Sequence, residues 1–347
     1  MNRFAWINTR SVSEAAVSAS ATVADLMIAP SIVSNHGETS VVKAGGIDLL
    51  DLMKEDLLAP ERIVNLRDIP GLDAISEDPN GGLRIGATAT LAAVADHAVI
   101  RRRYPALADA VGGSASPQIR HVATLGGNLL QRPRCWYFRA AEFRCLRKGG
   151  GHCFAIPGEN QYHAIFDNQA CAIVHPSTAA TVLVALGATV ELTDAGNAVR
   201  RILLEEFFVL PSRDLQREND LKPREIMTAI RLPPLAGDVR MAYLKQGEKD
   251  SFDWPLADVA VLLHLSPDGG CKSAAVILGA AAPVPYRAKA AEQALAGRAI
   301  DEAVARQAGK AALDGATPLA KNSYKLPLFE TLVRRAVLKA VSGPSRG

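Results

Sequence analysis

Four of the chain's five cysteines crowd into one stretch, Cys135, Cys145, Cys153 and Cys171, with the spacing C-x9-C-x7-C-x17-C. Thiolates at that density suit a metal or an iron–sulfur cluster. The C-x2-C pairs typical of structural zinc and of ferredoxins are missing. Residue types alone leave three readings open: a [4Fe–4S] cube wrapped by a loop, a zinc site, or reduced unligated thiols. His152 and His163 lie close enough in sequence to be alternative ligands or to stand beside the ligands. Cys271, far away at the start of a β-type run, reads as a small core residue.

Just upstream, Thr124-Leu-Gly-Gly-Asn128 places a hydroxyl and a carboxamide on either side of a Gly pair. A second pair, Gly45-Gly46, follows the β-type run Val41–Ala44 and precedes the helical spacing of Ile47–Lys54. Glycine lets backbone come close to a ligand, and the N–H groups and dipole of a helix start favour an anion. Two such corners in one chain point toward a pyrophosphate. Neither is a Walker A loop or a G-x-G-x-x-G fingerprint, so P-loop and Rossmann readings are rejected. No Ser/His/Asp set and no pair of carboxylates stands out as catalytic.

Other elements must position these groups. Ser11-Val-Ser-Glu14 fits a capping box, predicting a helix to about Ala24. Strands are expected at 62–66, 83–86, 188–192 and 225–233, and helices at 90–97, 104–111 and 179–186. Gln131 to Gln169 has neither period, and a structureless run of that length inside a domain is functional or disordered; its aromatics and thiols argue against disorder. Pro233-Pro234 marks a boundary. Beyond it come three strands (240–246, 257–265, 271–279), then helices from about Arg287, Asp301 and Leu326, as in a separate α+β domain.

The 347 residues call for two or three domains or subdomains. Lys+Arg 39 against Asp+Glu 36 leaves +3, too little to argue for nucleic acid. Arg101-Arg102-Arg103 reads as a solvated helix end. No apolar run reaches the length of a membrane span. We expect no signal peptide, and hence a cytoplasmic protein or one exported to the periplasm beside a signal-bearing partner.

The segments 42–49 (Val-Lys-Ala-Gly-Gly-Ile-Asp-Leu), 118–128 (Gln-Ile-Arg-His-Val-Ala-Thr-Leu-Gly-Gly-Asn), 207–211 (Phe-Phe-Val-Leu-Pro), 225–233 and 278–288 resemble the FAD-binding subunits of the xanthine dehydrogenase family, in order, over nearly the whole chain. The cysteine insertion is similar to that of members with an extra [4Fe–4S] cluster on the flavin subunit. These are bacterial molybdenum aldehyde oxidoreductases of periplasmic type, with the 4-hydroxybenzoyl-CoA reductase β subunit as the alternative. A stand-alone flavoenzyme is a further alternative.

The resemblance implies an α+β chain. A PCMH-type (vanillyl-alcohol-oxidase-like) FAD-binding domain of two α/β subdomains occupies 1–57 and 58–233, with an iron–sulfur insertion at about 131–172. A C-terminal α+β domain occupies 234–347. Position by position, it implies FAD contacts at Lys43, Ala44, Gly45, Gly46, Ile47, Asp48 and Leu49, and a second set at Ala115, Thr124, Gly126, Gly127, Asn128 and Leu130. Met227 and Lys245 match positions near the flavin ring. Cys135, Cys145, Cys153 and Cys171 would hold the cluster. It also implies partners: a molybdopterin-binding large subunit that oxidises an aldehyde, a small subunit with two [2Fe–2S] clusters, and an external electron acceptor. Where the family often reads Pro-Ser-Asp, this chain has Pro176-Ser177-Thr178, a hydroxyl in place of a charge.

Overall fold

The computed structural model describes residues 1–28, 39–235 and 238–344. Three sheets organise them. In the first, β1 (Ala5–Asn8) and β2 (Ser40–Lys43) flank β3 (Arg62–Asn65), all parallel. β3, the central strand of this sheet, lies beyond the expected 57/58 boundary. The second sheet is antiparallel in the order β4 (Ile75–Glu77), β5 (Leu83–Gly86), β8 (Ile226–Leu232), β6 (Thr189–Thr193), β7 (Val199–Leu203). In the third, β9 (Asp238–Gln246), β10 (Ala257–Leu265) and β11 (Cys271–Gly279) form the expected three strands. The two residues Tyr286–Arg287 add a short β12 at its edge.

The third sheet is covered on both faces, which explains the unbroken apolar run of β10. Ala260 and Leu262 share a core with Tyr104, Leu107, Val182 and Leu183 of the FAD-binding half. Val259, Val261 and Leu263 pack with Phe329, Val333 and Val337 of the C-terminal helix Lys325–Ser342. Every residue of the helix Thr178–Ala185 is buried, because it lies between the second sheet's subdomain and the third sheet.

The first helix is capped as expected: Ser11 Oγ accepts from the Glu14 amide at 3.1 Å, and the Glu14 carboxylate accepts from the Arg10 amide at 2.8 Å. It stops at Ser18 rather than near Ala24. Ser20 and Ser40 exchange backbone-to-hydroxyl bonds at 2.9 and 2.8 Å, drawing the chain out of the helix and onto β2. A second helix then starts at Val23.

Candidate functional site

A cleft of about 590 Å³ opens between the first subdomain, the second subdomain and the loop after β9. Both Gly corners line it. Gly46, with φ +83°, opens the helix Ile47–Lys54 in a left-handed conformation that glycine adopts without strain. A Cβ on Gly45 would overlap the carbonyl oxygen of Val122, so the first corner packs directly on the approach to the second. There Thr124 caps the helix Leu125–Leu129, its hydroxyl accepting from the Gly127 amide at 3.2 Å. Gly126 abuts Ala87, where a Cβ would come within 2.9 Å of both Cβ and backbone oxygen. Ser177 Oγ donates to Asn128 Oδ1 at 2.5 Å, fixing that carboxamide.

Lys43, Ala44, Gly45, Gly46, Ile47, Asp48, Leu49, Ala115, Thr124, Gly126, Gly127, Asn128, Leu130 and Met227 all line this one cleft. Ala115 does so with φ +50°. Met227 reaches the wall beside a bulge: Glu191 pairs with Ala229 and Leu192 with Met227, which leaves Thr228 out of register. Lys245 is the exception. It does not line the cleft, and its Nζ donates to the Gly113 carbonyl at 3.1 Å, next to the cleft residue Ser114. Burial pulls its pKa down while Asp258, its partner across the sheet, pulls it up. Thr178 lines the cleft, and its hydroxyl is 2.6 Å from that of Ser114.

Sequence reading missed the aromatic rim. Phe252 and Trp254, both more than half exposed, line the cleft mouth. Arg120 stands over Phe252 at 6.0 Å and Arg134 over Trp254 at 4.8 Å, within cation–π range. The same loop is tied to the cysteine segment by the Tyr162–Glu248 hydrogen bond. Nothing periodic marks this loop in the sequence.

Behind the cleft, Cys135, Cys145, Cys153 and Cys171 line one small cavity together with His163. The segment that carries them is irregular apart from the turns Trp136–Arg139 and Leu146–Lys148. It is ordered by packing: Trp136, Tyr137, Phe143, Phe154, Tyr162 and His163 form a chain of edge and stacked ring contacts. His152 packs on Phe154 and does not line the cavity. His163 Nε2 is 3.2 Å from Cys135 Sγ. Burial beside Lys325 pulls the His163 imidazole down to about 4, so it is neutral near pH 7.

Burial pushes the Cys135 thiol up to about 11. A hydrogen bond from Cys171 lowers Cys153 to about 5, with Cys171 raised in return. The Arg147 guanidinium lies beside Cys171 and is buried, as is Arg132. Both are balanced by Glu218, at 2.6 Å from Arg147 Nη1 and 2.9 Å from Arg132 Nε. Among the described residues, no group of three His, Cys, Asp or Glu side chains could hold a single metal ion. Cys271 is buried in the C-terminal core, as expected.

Two adjoining family models match: the FAD binding domain in molybdopterin dehydrogenase over residues 4–235, and the CO dehydrogenase flavoprotein C-terminal domain over residues 242–340. The aldehyde oxidoreductase FAD-binding subunit PaoB of Escherichia coli K12 is 35% identical over 303 residues, 86% of this chain and 90% of that protein. The carbon monoxide dehydrogenase medium chain of Afipia carboxidovorans is 28% identical over 322 residues, 90% of this chain and 92% of its own. A solved carbon monoxide dehydrogenase from Hydrogenophaga pseudoflava superposes with a TM-score of 0.72 at 25% identity, covering 98% of both chains. The PCMH-type architecture with its C-terminal flavoprotein domain is therefore that of the carbon monoxide dehydrogenase flavin chains. The chain belongs to the FAD-binding subunits of the xanthine dehydrogenase and carbon monoxide dehydrogenase family, the flavin subunits of molybdopterin oxidoreductases.

Proposed function

We propose that this chain is the electron-transfer subunit of a heteromeric, molybdenum-dependent aldehyde oxidoreductase, carrying FAD in the cleft and a [4Fe–4S] cluster in the cysteine cavity. The observation that carries the reading is the adjacency of two sites: a cleft walled by both Gly corners, and a cage of four thiols joined to it by the same segment. The similarity to PaoB, named for aldehyde oxidation, supports the substrate class. Bound FAD exchanges electron pairs for single electrons, while the protein supplies position and electrostatics.

The residues fit the FAD. Gly45, Gly46, Gly126 and Gly127 let backbone approach the pyrophosphate, Thr124 and Asn128 are fixed by hydrogen bonds, and Met227 offers an apolar contact for the ring. The four cysteines line one small cavity together. A cube accepts one thiolate at each of four irons, the usual Cys₄ complement. Arg147 beside Cys171 favours thiolate charge in an otherwise apolar cavity.

Aldehyde oxidation itself is assigned to a molybdopterin-binding large subunit, with a [2Fe–2S] small subunit between it and this chain, and an external acceptor takes the electrons. Anaerobic addition of an aldehyde to the purified complex is expected to bleach the flavin absorbance. The isolated chain should show no change. Bleaching of the isolated chain would favour a stand-alone flavoenzyme instead.

A further inference from the structure

The flavin helix and the cysteine segment meet at one carboxylate. Asp48, in the first turn of Ile47–Lys54, accepts from the backbone amide of Arg132 at 2.8 Å, from Arg139 Nη2 at 2.7 Å and from Arg134 Nη2 at 2.9 Å. One turn on, Asp51 takes Arg139 Nη1 at 3.0 Å and Arg134 Nη1 at 3.4 Å. Arg139 spends its other donors on its own segment, Nε on the Pro133 carbonyl at 2.8 Å and Nη2 on that of Arg132 at 2.9 Å. Its guanidinium therefore joins the 132–133 backbone to the helix whose N-terminal turn walls the cleft.

These arginines bracket Cys135, which lies three residues after Arg132 and four before Arg139. Beneath them Leu49, Leu52 and Met53 share a core with Phe138 and Cys145, and Cys135 packs against it. The Arg139 and Asp48 side chains are only 13% and 15% exposed, so the pair is weakly screened. The backbone of 132–135 has no regular secondary structure, so the bonds made by its backbone, its arginines and the Cys135 thiol help set its position.

We propose that Asp48 and Arg139 are positioning residues through which the loaded cysteine cage holds the flavin-binding turn, so that FAD affinity depends on whether the cage is loaded. Ordering Cys135 orders the Arg132–Arg139 segment, which fixes Asp48 and with it the Gly45–Asp48 backbone that faces the cleft. By reciprocity, bound FAD stabilises the loaded cage to the same degree. This inference rests on the reading of the four thiols as a cluster site.

The test measures the FAD dissociation constant, iron and acid-labile sulfide on the full chain, as wild type, Arg139→Gln, Cys135→Ser and the double variant. Arg139→Gln is expected to keep its iron and to bind FAD roughly tenfold more weakly, the loss of a partly buried charged pair. Cys135→Ser should lose the iron and weaken FAD by a similar factor. The double variant should be no weaker than the worse single one, because both act through one element. Arg139→Lys should recover part of the affinity, which a bulk packing role would not produce. Asp48→Asn, nearly isosteric, repeats the test should Arg139→Gln fail to fold.

An iron-loaded Arg139→Gln chain with wild-type FAD affinity, or additive losses in the double variant, would overturn the inference. A wild-type chain that binds FAD but contains neither iron nor sulfide would overturn the cluster reading instead.

Discussion

Gly45 sits against the carbonyl oxygen of Val122 so closely that a methyl group on it would overlap that atom. Backbone that belongs to the first subdomain thus rests on backbone that leads into the second Gly corner, and the cleft's two walls are held in register by an absent side chain. Gly45→Ala must push the loops apart, since the obstacle is main chain and has no rotamer to change. FAD binding is expected to weaken by at least about tenfold, or about 1.4 kcal/mol, while the C-terminal domain keeps its fold. Flavin content by absorbance at purification checks this.

Thr124 holds the second corner through its bond to the Gly127 amide. Thr124→Ala removes that cap and is expected to cost about 1 kcal/mol of stability, with Thr124→Ser close to wild type. Chemical denaturation midpoints measure the difference. A drop in flavin content should accompany the Ala change, because the capped turn is part of the cleft wall.

Glu218 lies between two buried guanidiniums, Arg132 and Arg147, at the junction of cleft and cage. Glu218→Gln removes the carboxylate that both cations share at 2.6 and 2.9 Å, a change that costs about 3–5 kcal/mol when a buried pair is broken. The thermal midpoint should fall by many degrees, and iron retention should fall with it.

Much of this site was legible because it is locally determined. The run into Gly45-Gly46, the Thr124 cap and the clustering of four cysteines show in residue type and spacing, while what the thiols hold is left open by type and spacing alone. The edge strands β4 and β7 escaped notice for a physical reason: Ile75–Glu77 and Val199–Leu203 are partly or largely exposed, and their pairing is imposed by neighbours rather than by an apolar pattern. That Arg62–Asn65 joins the first sheet likewise shows only in its pairing. Lys245 lies on its expected strand, but which side chains face the cleft depends on how β9 docks, and the lysine turns to Gly113 instead. The density of arginines around Cys135 was visible. Their partners, Asp48 and Glu218, lie about 85 residues away on either side and only the fold brings them together.

Asp258 provides a pH signature. It is buried under Gly279, beside Thr181 and Tyr243, and burial pushes its carboxyl up to about 7 against the pull of Lys245 and Lys325. An unfolded Asp titrates near 3.9. Between those values the native state holds a proton that the unfolded state has released, so this group's contribution to stability falls as pH rises through the window. The slope is at most about 1.4 kcal/mol per pH unit. Asp258→Asn should remove that slope. Urea midpoints of both proteins at about pH 5 and about pH 7 give the comparison, and parallel behaviour would refute the assignment.

The most direct test of the central claim is an assay of flavin, iron and acid-labile sulfide on one purified sample, with its visible spectrum before and after dithionite. One FAD and about four irons per chain are expected, with matching sulfide. A broad visible shoulder should bleach on reduction and disappear in Cys145→Ser. Folded protein with flavin and zinc but no sulfide would contradict the cluster. Folded protein with neither flavin nor metal would contradict both the flavin and the cluster assignments.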